Sequence, residues 1–425
     1  MIDGSPGDSP GRATGPAAGG DQSVLRWSSR TQTIAGIEAE LAKIWATTPL
    51  TMPGEDGEPE RHIAARTSVM NLVVIARRPE LGEHASSVIR TLTGRHPSRT
   101  LVLSSVDPDG PSWLDADIQA HCVLPRADAA ETCAEFIYLR VGGESGRHLA
   151  AIVAPLIVHD LPVVLWWPGD PPLGTKQAVD LLEMSDRLVV DGSAWSGDGL
   201  DRLAALASIV TDRNLGAGHV AVSDFAMLRQ SRWREAIAST FDRPELRPYL
   251  GGINSITVRY AVHEGAVAGA TNLIKPLYHV AWLASRLGLA VAEPFRVAEP
   301  LAATVADGTA DGAGLPPVLR GALRAPRRRI PMELVPMISP MHTGTTLAVE
   351  INARRRAGEL AIAVTAEADV VMVRASLHGR KLPERRFMAP RRTEVELLAE
   401  TVESVGRDPV AVAALLAAAS LVAPA

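Results

Sequence analysis

Val69-Met70-Asn71-Leu72-Val73-Val74-Ile75-Ala76, followed at once by Arg77-Arg78-Pro79, decides the fold class of this chain. An apolar run of that length reads as a strand buried on both faces, the kind that parallel sheets use. Pro79 stands at a helix start, and Leu81, Ala85, Val88 and Leu92 carry helical spacing through residues 80–92. Past Pro97, residues 100–104 read as a second strand of the same buried type. Strand, helix and strand in so short a span make a parallel crossover unit.

The rhythm extends outward from this unit. Ile34, Ile37, Leu41 and Ile44 line one face of a helix over 31–47, ahead of a Pro-, Gly- and acid-rich loop at 48–57. Short strands are expected at 117–123 and 135–141, on either side of a polar segment with Pro125. A helix at 148–158, a strand at 163–167, a helix at 175–184, a strand at 187–191 and a helix at 200–211 follow. Beyond residue 215 the grammar changes. A helix at 228–240 precedes an alternating strand at 255–262 and a long helix at 271–287. A Gly-, Asp- and Pro-rich linker fills 307–317, and an antiparallel meander occupies 345–352, 360–365 and 369–376. Two helices, at 393–405 and 409–422, complete the reading. The expected architecture is therefore an α/β N-terminal domain with a mainly parallel sheet (31–215), plus a second α+β domain (216–425). The second has an antiparallel sheet and covering helices, and residues 1–30 are expected to form a disordered tail.

Composition narrows the class. Of 425 residues, 46% are hydrophobic and 21% charged, which describes a globular chain. Aromatics make up only 4%, so the cores must be built from aliphatic side chains. No window approaches the roughly 18 apolar residues that a membrane helix needs, and the Gly-, Pro- and Ser-rich start carries no secretory signal. A cytoplasmic protein with no membrane partner is expected. Cys122 and Cys133 fit neither a C-x-x-C nor a zinc spacing. Two buried or half-buried thiols in a reducing compartment are expected, and a regulatory disulfide finds no support in the pattern.

Charge is uneven. Residues 319–392 hold 15 Lys or Arg against 6 Asp or Glu, while the whole chain carries a net −5. The clusters at Arg327–Arg329, Arg354–Arg356, Arg380, Lys381, Arg385, Arg386, Arg391 and Arg392 suit an acidic partner, a phosphorylated ligand or solvated loop tips. No aromatics interleave with them, so nucleic acid is an unlikely partner.

No signature of catalysis emerges. G-x-G-x-x-G, G-x-x-x-x-G-K-[ST] and H-E-x-x-H are all absent, and Gly143-Glu144-Ser145-Gly146 lacks the spacing of a nucleophile elbow. No cofactor, metal or catalytic residue is therefore assigned. His159-Asp160 reads as an acid/base pair or, more simply, as a turn. Pro162-Val163-Val164-Leu165-Trp166-Trp167-Pro168-Gly169 stands out instead. Adjacent residues on a strand face opposite sides, so one ring enters the core and the other needs a second apolar surface or a partner. Trp166, Trp167, Arg385 and Arg386 are the candidate partner-binding residues.

Three segments together resemble the OpcA family of glucose-6-phosphate dehydrogenase assembly proteins. They are the run from Arg66 through Thr67, Ser68 and Asn71 to Val74, the run from His96, Pro97, Ser98 and Arg99 to Leu103, and the tandem-tryptophan segment ending in Pro168-Gly169. The resemblance spans residues 60–400. It implies a non-catalytic factor that associates with glucose-6-phosphate dehydrogenase and promotes its assembly or activity, supporting NADPH production in the oxidative pentose phosphate pathway. Photosynthetic members link this control to redox state through cysteines, and no cysteine follows Cys133 here. Read without the family, Thr67, Ser68 and Asn71 satisfy backbone groups at a strand entry, and Ser98 and Arg99 either contact an anion or cap a turn. Two other classes stay open: an enzyme acting on a sugar phosphate or nucleotide through Arg99 or His159, and an arginine-rich nucleic-acid binder.

Overall fold

The computed structural model describes residues 24–298 and 315–422, apart from 48, 54–58, 64, 67, 107–108, 124–131 and 212–218. Its first half runs β1 (Val24–Thr31), α1 (Ile34–Thr47), β2 (Pro49–Pro53), β3 (Pro59–Ile63), β4 (Ala65–Arg66), β5 (Met70–Ala76), α2 (Pro79–Leu92) and β6 (Ser98–Ser105). It continues with β7 (Trp113–Val123), β8 (Thr132–Gly142), α3 (Leu149–Val153), β9 (Val163–Trp167), α4 (Lys176–Glu183), β10 (Arg187–Val190), α5 (Leu200–Thr211) and β11 (Ala221–Asp224). The first sheet has the order β1-β7-β8-β6-β5-β9-β10-β11, with β4 beside β8 and a separate β2–β3 hairpin. Every neighbouring pair from β8 to β11 is parallel, and β7, antiparallel to both β1 and β8, is the one strand of this path that runs against the rest. The α/β class with a mainly parallel sheet is what the apolar runs require. All seven residues of β5 and all five of β9 are buried, because helices cover both faces.

Three features differ from expectation. β1 occupies residues assigned to a disordered tail, and β11 adds a strand from beyond residue 215. The helix expected over 148–158 is α3 alone, five residues long, because Pro155 cannot continue it. Cys122 and Cys133 are not free thiols. They are directly opposed in the β7–β8 ladder and form a disulfide with Cα atoms 4.0 Å apart, and both are buried.

The second half contains α6 (Phe225–Leu228), α7 (Ser231–Thr240), β12 (Ile253–Val262), α8 (Ile274–Arg286), β13 (Ala290–Val297), β14 (Leu319–Ala325) and β15 (Arg328–Ile338). Next come β16 (Thr346–Arg355), β17 (Gly358–Glu367), β18 (Val370–Leu377), β19 (Arg380–Lys381), β20 (Arg385–Met388), α9 (Glu394–Glu403) and α10 (Pro409–Val422). Its sheet has the order β13-β14-β15-β12-β16-β17-β18-β19, with β20 also on β18, and β12–β15 is its parallel pair. Strands β13, β14, β15, β19 and β20 were not anticipated, and with β12 and the meander β16–β18 they make a nine-stranded sheet. The expected linker lies mostly outside the described residues. Along β15, Ile330, Met332 and Leu334 are buried while Glu333 and Val335 are less so, the alternation of a sheet covered on one side. Among the described residues α7, α8 and α10 all pack on that covered side, in one core with Ile256, Val258 and Ile362.

The two halves interlock. Helix α9 begins with a capping box, Thr393 with Glu396, and then returns to the first sheet. There Leu397 and Leu398 pack with Ala85 and Ile89 of α2 over Val74, Val102 and Trp166. His84–Glu394 (2.5 Å), Arg95–Glu403 (2.8 Å) and His96–Glu403 (3.0 Å) tie its flanks to α2 and the turn behind it.

Candidate functional site

The residues singled out in the sequence turn out to be mostly scaffold. Trp166 is 1% exposed and Trp167 2%, on opposite faces of the central strand β9. Trp166 sits under α9, its ring centroid 6.2 Å from that of Phe225, and Trp167 enters the core on the other side. Neither ring can anchor a partner. The alternation was right, but helices cover both faces and no apolar surface is left over.

The three motif segments meet. Asn71, Arg99 and Val163 are register neighbours on β5, β6 and β9, at the amino ends of these parallel strands. The Asn71 carboxamide donates to the carbonyls of Val158 (2.9 Å) and Leu161 (3.2 Å) and accepts from the Val158 N–H (2.7 Å). It thereby ties down the turn that carries His159, itself exposed, and Asp160, at φ +67°. Arg99 is buried, pairs with Glu135 at 2.5 Å and donates to the Leu156 carbonyl at 2.9 Å. A guanidinium spent in this way offers nothing to a substrate anion. Ser98 bonds Thr100 (2.9 Å), and the Pro97 carbonyl accepts from Val69 N–H (3.0 Å). The Ser68 hydroxyl is buried without a partner among the described residues, and Thr67 lies outside them. Pro168 is half-buried, and Gly169 adopts φ +100°, a left-handed bend that a side chain would strain.

Among the described residues, six of the fifteen cations between 319 and 392 are ion-paired in place. Arg320 pairs with Glu333 (2.8 Å), Arg329 with Glu293, Arg354 with Glu359, and Arg374 and Arg386 share Glu384 (2.8 and 2.9 Å). Arg385 is half-buried, stacked 4.9 Å over the Phe387 ring and donating to the Ser239 carbonyl.

The concave site lies elsewhere, at the carboxyl ends of β10 and β11, where α/β sheets place ligands. Asp191 accepts from Ser193 and takes Arg229 at 2.7 Å. Asp224 is buried and accepts from the N–H groups of Gly192 and Ala226 (2.8 Å each) and from Tyr278 Oη (2.9 Å). Burial, then the nearby Asp191 charge, push the Asp224 carboxyl up to about 6 against the pull of those bonds. Gly192 must be glycine, since a Cβ there would stand 2.7 Å from Asp224 and 2.8 Å from Ile274. Asn272 donates to the Gly192 and Trp195 carbonyls and fixes the turn against α8.

Lys275 and His279, one turn apart on α8, face the resulting cleft of about 970 Å³, as do Arg229, Gln230, Thr346 and Arg391. Burial lowers the Lys275 ammonium pKa, with repulsion from Arg229 and Arg391 adding to it and Asp191 opposing it. Burial, with Arg234 adding to it, pushes His279 down to about 3, so its ring is neutral beside Trp233 at 5.2 Å. The sequence reading passed over both residues. Their signal was a Lys and a His four apart on an otherwise apolar helix face.

Two family models cover most of the chain. One, described as glucose-6-phosphate dehydrogenase subunit N-terminal domain, matches residues 89–208, and the C-terminal domain of the same subunit matches 220–415. A Synechocystis protein named for OpcA of the OxPP cycle is 27% identical over 203 residues, covering 48% of this chain and 39% of that protein. Its namesake from Synechococcus elongatus is 25% identical over 209 residues, covering 49% and 42%. The match thus spans about two fifths of the length of these relatives. Among solved structures, the oxidoreductase yvaA of Bacillus subtilis aligns over 84% of this chain and 95% of its own, at 10% identity and TM-score 0.43. The transcriptional regulator Gal80p of Kluyveromyces lactis aligns over 83% and 91%, at 12% and 0.41.

Proposed function

The chain belongs to the OpcA family of glucose-6-phosphate dehydrogenase subunits, and from that membership we propose that it binds the dehydrogenase as a non-catalytic assembly and activating factor. It would act in the cytoplasm, in the oxidative pentose phosphate pathway, and raise NADPH formation by its partner. The observation that carries this reading is the pair of subunit-domain matches over 89–208 and 220–415. The turn after β5 supports the non-catalytic part. Arg77-Arg78-Pro79 stands where a dinucleotide fold needs glycines for the backbone to approach a pyrophosphate.

With both tryptophans buried, the helix-free face of the second sheet is our choice for the docking surface. Arg320, Glu333, Thr257, Glu350, Ala363 and Arg374 form one register row across β14, β15, β12, β16, β17 and β18. Such a row of paired charges on a flat sheet selects a partner by electrostatic complementarity. Arg386 and the partly tethered Arg385 lie at its β20 edge.

Mixing the purified chain with its cognate dehydrogenase and following NADPH formation tests the proposal. The chain alone is expected to be inactive, and the mixture to turn over faster and co-elute on gel filtration. Unchanged kinetics over a wide range of added protein, with no co-elution, would sink it.

A further inference from the structure

Five cationic side chains, Arg229, Arg232, Lys275, Arg391 and Arg392, line the cleft at the ends of β10 and β11. Three are matched by carboxylates: Arg229 by Asp191, Arg232 by Glu235 and Arg392 by Glu400. Lys275 and Arg391 have no ion-pair partner among the described residues, and both lie close enough to Arg229 or to each other to feel mutual repulsion. Like charges gathered in a concave site are unfavourable for folding alone, and such arrangements mark places where an anion is taken in. Hydrogen-bonding capacity is held open beside them. Gln230 Oε1, Thr346 Oγ1 and both ring nitrogens of His279 are buried without partners among the described residues, and all three residues line the same cleft. Buried polar atoms are ordinarily satisfied, so four in one cavity call for a ligand with several donors and acceptors. Gln230 cannot turn away, because its amide donates to the Lys275 carbonyl at 2.7 Å.

We propose that this cleft binds a small hydroxylated organic phosphate, with the phosphate held between Lys275 and Arg391 and the hydroxyls on Gln230, His279 and Thr346. Lysine supplies a point charge and arginine a planar fork, the pairing that phosphate oxygens favour. Neutral imidazole offers one donor and one acceptor to a hydroxyl network. The cleft volume of about 970 Å³ reaches the upper end of ordinary small-molecule sites. The proposal adds a metabolite site to a protein read so far only as a partner of another protein, and it stands apart from that reading.

Isothermal titration of the purified full chain, with no dehydrogenase present, tests it. The probes are glucose 6-phosphate, glucose, inorganic phosphate and citrate. Glucose 6-phosphate is expected to bind at least about tenfold more tightly than glucose or inorganic phosphate. Lys275→Met and Arg391→Gln should each weaken it by about tenfold or more, while Arg386→Gln, outside the cleft, leaves it unchanged. If Lys275→Met melts early, the exposed Arg391→Gln decides. Three results would overturn the proposal: citrate bound more tightly than the phosphate ester, unaltered affinity in Arg391→Gln, or no binding of any probe at millimolar concentration. None of them bears on whether the chain engages the dehydrogenase.

Discussion

Asp224 and His279 are both buried and both favour their neutral forms, with opposite consequences for acid stability. The Asp224 carboxyl rises from 3.8 to about 6, so the stability it contributes is present below pH 3.8 and is lost as pH rises to 6. His279 falls from 6.5 to about 3, so its contribution is complete above pH 6.5 and is lost as pH falls toward 3. The two spans correspond to roughly 3 and 5 kcal/mol at about 1.4 kcal/mol per pKa unit. Between about pH 4 and 6 their slopes cancel. Asp224→Asn should keep the network, since Oδ1 still accepts from Gly192 and Ala226 and the amide can donate to Tyr278. It is expected to unmask the histidine, so that its stability falls from pH 6 to 4 more steeply than the parent's by about 1.4 kcal/mol per pH unit. Urea titrations across that range check this, and equal slopes in the two proteins would refute the assignment. This site was illegible in the sequence because its parts come from α8, the turn after β10 and the segment before α9. Lys275 and His279 share one helix face, while Arg229–Gln230 and Arg391–Arg392 are separate neighbouring pairs with no common pattern. Asn71 and Arg99 were legible as polar residues at strand entries, but the strand order that brings them together was not.

At the scale of elements, continuous apolar runs were the reliable signal. The β5–α2–β6 unit, β9 and α5 stand where they were read, because buried parallel strands and amphipathic helices leave unambiguous periods. Strands β13 to β15 escaped because Pro294 interrupts the first, and arginines at the β14–β15 turn resemble a loop. The disulfide escaped because a ten-residue gap says nothing of register, whereas the β7–β8 ladder sets Cys122 against Cys133. Closing so short a loop should stabilise the chain by about 2–3 kcal/mol, mainly by restricting the unfolded state. Replacing both cysteines with serine is expected to lower the denaturant midpoint accordingly, and reductant under unfolding conditions should lower the parent to the same value. An unchanged midpoint in the double variant would remove the bridge from the stabilising features.

For the whole molecule, net charge separates into a basic second sheet and a more acidic remainder, so encounter with a partner should depend on salt. Arg386, 71% exposed at the β20 edge, is the better probe, since its reversal disturbs only the surface pair with Glu384, whereas reversing Arg385 would break its bond to the Ser239 carbonyl. Arg386→Glu should leave stability within about 0.5 kcal/mol while slowing association with the dehydrogenase. Rates measured at low and high salt, with melting curves, check this, and an association rate equal to the parent's at both would assign Arg386 to plain solvated surface. Helix α9 joins the two sheets across the longest span of chain, and that span has a consequence during synthesis. Residues 397 and 398 roof over Trp166, yet they leave the ribosome more than 200 residues later. At about 5–20 residues per second, the Trp166 side of the nascent first sheet waits on the order of 10–50 seconds for that part of its cover. In the cell, its aggregation risk is therefore set by how quickly translation delivers the far end of the message.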